Sequence, residues 1–228
     1  MLFSVYNNLT FLIIVPGIIL SMWAQYKISR TYSTYSKIPG TNRVTGSEFV
    51  SVVLRQNGVT DVAIKPVKGS LTDHFDPRKR IISLSEGVYA SYSIAAVAIA
   101  AHEAGHALQH AKGYAPIKVR SALVPVLSVV SSLAFPLLII GVIMRFTPLI
   151  SWAAYAFFAV FIFQLVTLPV EINASRRALA NIEASHVLTG EEYLGAKKVL
   201  SAAALTYIAA LLTAFLQFLS LSAMSRRR

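Results

Sequence analysis

The sequence predicts a mainly α integral membrane protein: about four transmembrane helices joined to a small α+β domain with a short β-sheet. Three observations carry this reading. The chain of 228 residues is 55% hydrophobic and only 14% charged, where soluble domains carry about 25% charged residues. Its mean hydropathy is +0.60, and its apolar residues gather into runs near the roughly 20 residues needed to cross a bilayer. One long stretch, residues 27–120, is polar instead and breaks into short helix-like and strand-like segments.

Composition also excludes several classes of function. There are no cysteines, so thiol nucleophiles, thiolate metal ligands, iron–sulfur clusters and disulfides are ruled out. The net charge of +11 does not point to nucleic acid as a partner. The Lys and Arg residues concentrate near the ends of apolar segments, as expected of loops held against an anionic lipid surface, and no nucleic-acid-binding module is present.

Residues 1–26 read as the first transmembrane helix. The run from Leu9 to Ala24 is interrupted only by Pro16-Gly17 and is flanked by Tyr6, Trp23, Tyr26 and Lys27. No positive side chain precedes it and no A-x-A site follows, so the sequence predicts a retained span rather than a cleaved signal. Within residues 27–120, Tyr32 to Thr45 reads as a linker. Ser47 to Gln56 reads as a short helix capped by Ser47 and ended by Asn57-Gly58. Val59–Val67, Leu71–Phe75 and Lys79–Leu84 read as strands, the last two around Asp76-Pro77. Ser91 or Ser93 caps a further helix that runs to about His110 and is apolar nearly all round at its start, so it is expected to be buried.

Residues 121–170 read as a transmembrane hairpin: Ser121–Met144, bent at Pro125 and Pro136, then a tight connection, then Leu149–Val170. Residues 171–198 are polar and complete the domain. Residues 199–228 hold the last span and a basic tail. Four spans place residues 27–120 and 171–198 on one side. That side carries Lys27, Arg30, Lys112, Lys118, Arg120, Arg176, Arg177, Lys197 and Lys198 near the span ends. Arg145 and the terminal Arg226-Arg227-Arg228 lie on the other. The balance predicts a multi-pass protein of the cell (inner) membrane with its polar domain on the cytoplasmic side.

The chemistry centres on His102-Glu103-Ala104-Gly105-His106, an H-E-x-x-H run on the buried helix. His102 and His106 lie one turn apart on one face and can reach a single ion, while Glu103 points beside them toward a metal-bound water. Polar groups are costly in so apolar a helix, which favours a metal site over two merely satisfied histidines. A gluzincin-type zinc site needs one more carboxylate. After His106 only Glu171, Glu183, Glu191 and Glu192 remain. Glu171 stands where the third span leaves the membrane, on the same side as the histidines, and is the expected third ligand; Glu183 is the next choice. Glu191 and Glu192 read as first-turn helix acids. His110 lies one turn beyond His106 and reads as a supporting or core residue. His74, between Asp73 and Asp76 in the hairpin, and Tyr207, in the last span, are candidate contacts to substrate or transition state; His186 reads as an exposed loop residue.

At this point the residues resemble a known family. The stretch Gly69-Ser70-Leu71-Thr72-Asp73-His74-Phe75-Asp76-Pro77, then Leu84-Ser85-Glu86-Gly87-Val88-Tyr89, then Ile94 through His110, look like the YugP-type membrane zinc metallopeptidases of bacteria. Leu168 through Ser175 and Ala202 through Tyr207 fit the same family. The resemblance implies a neutral zinc peptidase with a zincin-like domain, distantly akin to HtpX and the CAAX prenyl proteases. In those relatives the glutamate of an E-x-x-A-D run is the third ligand. Glu171 matches that glutamate, and Ser175 stands where they have the aspartate.

The expected function is therefore a membrane-embedded, zinc-dependent endopeptidase that binds one Zn(II) and uses Glu103 as general base. Its substrates would be peptides or membrane proteins, in a quality-control role, presented along the edge offered by the Lys79–Leu84 strand. The alternative is a non-catalytic scaffold or adaptor stabilised by zinc. A transporter or channel fits less well, because the spans carry few ionisable residues. Substrate, regulatory partner and oligomeric state are not encoded in any motif.

Overall fold

The computed structural model describes the backbone of residues 2–225 and the side chains of residues 12–225. The flanking Tyr6 side chain and the Arg226–Arg228 triplet lie outside the described residues. In chain order the elements are α1 (Leu2–Tyr35), α2 (Gly46–Gln56), β1 (Ala63–Val67), β2 (His74–Asp76), β3 (Ile81–Ser85), α3 (Glu86–Tyr89), α4 (Ile94–Ala111), α5 (Ala115–Ile143), α6 (Thr147–Ser185) and α7 (Glu191–Ser225). Among the described residues, four helices are long and apolar enough to cross a membrane: α1 from Leu12, α5, α6 and α7.

Two compact units emerge. One contains residues 26–118 and 169–204; the other contains residues 1–25, 119–168 and 205–228. In the second, aromatic rings interlock between helices: Phe158 meets Phe218 at 4.8 Å, and Phe161 meets Phe215 at 5.0 Å. Large apolar side chains such as Ile143, Trp152 and Tyr155 point outward from these helices, as a surface immersed in lipid requires.

The first unit has its own core. Phe49, Val50, Val53 and Leu54 of α2 pack with Ile82 and Leu84 of β3, most of α4, Ala178 and Ile182 of α6, and Val199 and Leu200 of α7. The Ala-rich sequence of α4 explains its central place. Small side chains let neighbours approach from every direction, and 14 of its residues are buried.

Several sequence expectations need correction. The N-cap of α2 is Thr45, not Ser47: its hydroxyl accepts from the Glu48 N–H, and the Glu48 carboxylate accepts from the Thr45 N–H at 2.9 Å, forming a capping box. The linker expected from Tyr32 begins only after Tyr35. No Gly or Pro interrupts this part of α1, and the Thr34 hydroxyl donates back to the Arg30 carbonyl at 2.9 Å without ending the helix. The strands are shorter than their apolar runs. α6 continues through Pro169 to Ser185, because the polar residues after 170 alter what the helix faces, not its hydrogen bonding.

The sheet order is β1-β3-β2, with β1 parallel and β2 antiparallel to β3. The strand expected to offer a free edge, β3, is therefore the central one. Its alternating Ile82 and Leu84 face the core while its backbone is paired on both sides, so β1 and β2 form the edges.

Candidate metal centre

Helix α4 supplies two imidazoles and helix α6 supplies a carboxylate. Ser93 caps the start of α4, accepting from the Ala96 N–H at 3.2 Å, and sets the helical phase for everything after it. His102 and His106 then project from one face, their rings edge to face at 4.7 Å. Their Nε2 atoms converge on one oxygen of Glu171: Oε2 lies 3.1 Å from that of His102 and 3.5 Å from that of His106. The possible donor atoms of the three residues lie within 4.8 Å of one another, so the group could hold a metal ion. Glu183 is exposed on α6 and stands outside this group.

The two helices can sit this close because of Gly105. A Cβ added there would come within 2.6 Å of the Ala174 carbonyl oxygen. The glycine in the middle of H-E-x-x-H thus brings α6 against the face that carries the ligands.

The remaining ring nitrogens are held by neighbours. The His106 Nδ1 lies 3.0 Å from Gln109 Oε1. Gln109 is fully buried, and its Nε2 donates to the Val170 carbonyl at 2.8 Å and to Asn173 Oδ1 at 3.0 Å. A backbone carbonyl only accepts, so the amide of Gln109 must face Val170 with its nitrogen and His106 with its oxygen. His106 then carries a proton on Nδ1, and in the neutral imidazole the Nε2 lone pair is aimed at Glu171. A lone pair facing a carboxylate is an arrangement that a cation resolves. The donor set therefore fits a divalent metal, and two imidazoles with one carboxylate suit zinc.

The His102 Nδ1 meets the Ser175 hydroxyl at 3.1 Å. Ser175 thus gives the first histidine a neutral oxygen in place of an acidic one. Asn173 also accepts from Arg177 Nε at 2.8 Å, so the chain of contacts runs from His106 along α6. Sequence reasoning missed Gln109 and Asn173. The available signal was an amide three residues after His106 in an otherwise apolar helix.

Glu103 is only 7% exposed. Burial pushes its carboxyl up to about 7; His102 opposes the shift, while Glu171 and Asp73 reinforce it. Asp73 is itself fixed, accepting from the Ser85 N–H at 2.7 Å and the Ser85 hydroxyl at 3.0 Å. His74 is exposed, its Nδ1 lying 2.8 Å from the Thr72 carbonyl. His110 lies outside the ligand group and packs its ring 5.9 Å from that of Phe75 on β2. His186 is exposed in the turn after α6, and Tyr207 is half-buried on α7 in the other compact unit.

A sequence profile of the family described as "Putative neutral zinc metallopeptidase" matches residues 10–226. The chain belongs to this family. It is similar to the "Putative membrane protease YugP" of Bacillus subtilis (strain 168), at 43% identity over 200 residues, 88% of this chain and 89% of that one. No solved structure matches it. Membership of a zinc metallopeptidase family agrees with the donor chemistry of His102, His106 and Glu171, and similarity to a membrane protease agrees with the four apolar helices.

Proposed function

We propose that this family member is a membrane-embedded, zinc-dependent endopeptidase of gluzincin type, with one Zn(II) held by His102, His106 and Glu171. The supporting observation is the convergence of both Nε2 atoms on one Glu171 oxygen, with buried Glu103 next along the helix. Zinc held there would supply Lewis acidity toward a water and a scissile carbonyl. The Glu103 carboxylate is placed to accept a proton as general base and to release it to a leaving amine. Gln109 and Ser175 hold the two imidazoles in orientation. A site kept only to stabilise a scaffold has no use for a buried carboxylate beside the two histidines, and this favours the enzyme.

For substrate we propose an extended segment added to the edge of β2. That strand packs against the motif helix, Phe75 meeting His110 ring to ring, and its exposed His74 is the candidate contact to the substrate carbonyl. The position of Glu171 on a helix long enough to cross the membrane suits juxtamembrane segments of damaged or orphan membrane proteins. The distribution of Lys and Arg supports a cytoplasmic site at the cell (inner) membrane.

The test is Glu103→Gln in purified, detergent-solubilised protein with a fluorogenic peptide. Zinc should remain bound at one per chain while turnover falls by about two to four orders of magnitude. Undiminished cleavage by the variant would defeat the mechanism. Absence of chelator-sensitive cleavage by wild type would favour the scaffold.

A further inference from the structure

The unit that carries the metal centre has a second feature to which the proposed chemistry gives no role. A groove of about 400 Å³ runs between the last turns of α1 and the first turns of α7. Three lysines line it: Lys27 from α1, and Lys197 and Lys198 from α7. Three hydroxyls join them, from Thr31, Tyr35 and Ser201, and no carboxylate is among the lining residues. We propose that this groove binds the headgroup of an anionic phospholipid.

Depth along the helices supports the assignment. α1 has 34 residues, about 50 Å of helix, where the hydrocarbon core is about 30 Å thick, so its last turns must emerge. Trp23 and Tyr26 are exposed on α1 and mark the aromatic belt of the interface; Lys27, Thr31 and Tyr35 follow in the next turns. On α7 the groove residues end at Ala202, in the first turn of the apolar run that opens at Val199. From both helices, the groove therefore falls at the level of lipid phosphates.

Its chemistry is two-sided. Ammonium and hydroxyl groups suit a phosphodiester and a polyol headgroup, while Leu194 and Ala202 offer an apolar wall to the glycerol and first methylenes. A soluble anion would use only the polar half. One nearby acid on α7 is engaged elsewhere. Glu192 accepts from the Thr41 N–H at 2.8 Å and from the Thr41 hydroxyl at 2.6 Å. At Gly195, next to the lining residue Leu194, a Cβ would lie 2.6 Å from the Tyr35 ring, so the two helices meet through that ring and the bare backbone.

Basic grooves between helices at the membrane surface select anionic lipid mainly through their ammonium groups. A lipid bound here would tie the unit bearing the metal centre to the bilayer surface.

The experiment uses the full chain in detergent micelles doped equally with phosphatidylglycerol and phosphatidylcholine of matched acyl chains. Retained lipid is read by native mass spectrometry. Wild type should keep phosphatidylglycerol with a preference on the order of tenfold. The variant K27Q/K197Q/K198Q should bind the two lipids nearly equally, whereas K65Q/K68Q/K79Q, altered around the sheet, should behave as wild type. A photoactivatable phosphatidylglycerol in wild type, which does not depend on the variants folding, should crosslink to residues 27–35 and 194–202. The proposal is overturned by an undiminished preference in the triple variant, by crosslinks confined to other segments, or by displacement of the lipid with excess inorganic phosphate, which would mark a site for soluble anions.

Discussion

Gln109 shows how much of the metal centre depends on a residue with no reactive chemistry of its own. Its oxygen fixes the proton of His106 on Nδ1, and its nitrogen ties α4 to α6 through Val170 and Asn173. Replacing it with Leu keeps the volume but removes the acceptor. We expect Gln109→Leu to fold and to lose zinc affinity by roughly 10- to 100-fold, measured by competition with a chromophoric chelator. Unchanged affinity would show that the amide only fills space. Ser175 has a parallel place at His102, with a weaker, neutral acceptor. The H-E-x-x-H run was legible in the sequence because its spacing alone brings two imidazoles to one helical face. The supporting residues were not, since an amide in a helix carries no comparable signature.

At the level of elements, the crossing of α4 and α6 is the critical contact, and Gly105 sets it. Gly105→Ala would drive a methyl into the Ala174 carbonyl, and backbone cannot rotate away as a side chain can. We expect about 1–3 kcal/mol of destabilisation and reduced zinc occupancy, read by thermal melting with and without chelator. A variant as stable and as fully loaded as wild type would contradict the close approach.

The cap of α2 gives a prediction about pH. Hydrogen bonds from the backbone N–H and hydroxyl of Thr45 hold the Glu48 carboxyl below its ordinary value of 4.5. A lowered folded-state pKa stabilises above the unfolded value and ceases to do so as the pH falls through the folded one. Wild type should therefore melt above Glu48→Gln at pH 7, with the difference closing as the pH drops below 4.5. A difference that persists or grows in acid would show that Glu48 does not act through its charge.

Strand order was the element-scale feature that local pattern could not supply. Alternation identifies β3 as half-buried, but only pairing shows it to be central, with β1 parallel on one side and β2 antiparallel on the other.

For the whole molecule, the proposed orientation puts the site on the cytoplasmic side, and labelling tests it. The chain has no cysteine, so a single engineered one reports without background. Lys68→Cys, exposed in the turn after β1, should react with a membrane-impermeant maleimide in inverted vesicles and not in intact cells whose outer barrier has been opened. The opposite pattern would place the metal centre outside the cell membrane and reverse the proposed orientation. Charge near the span ends supports the cytoplasmic assignment, and it acts on insertion rather than on folding.

The sequence by itself determined the membrane character, the helix that carries the motif, both histidines, Glu103 and the expectation of a distant carboxylate. These follow from hydropathy and from a helical period that operates within a few residues. Only the tertiary structure decided that Glu171 rather than Glu183 completes the group, that Gln109 orients His106, and that β3 lies inside its sheet. Each of these depends on how α4, α6 and the strands meet in space. Such contacts join residues some 60 or more positions apart along the chain, as between Gln109 and Val170 or His102 and Glu171. No local periodicity encodes them.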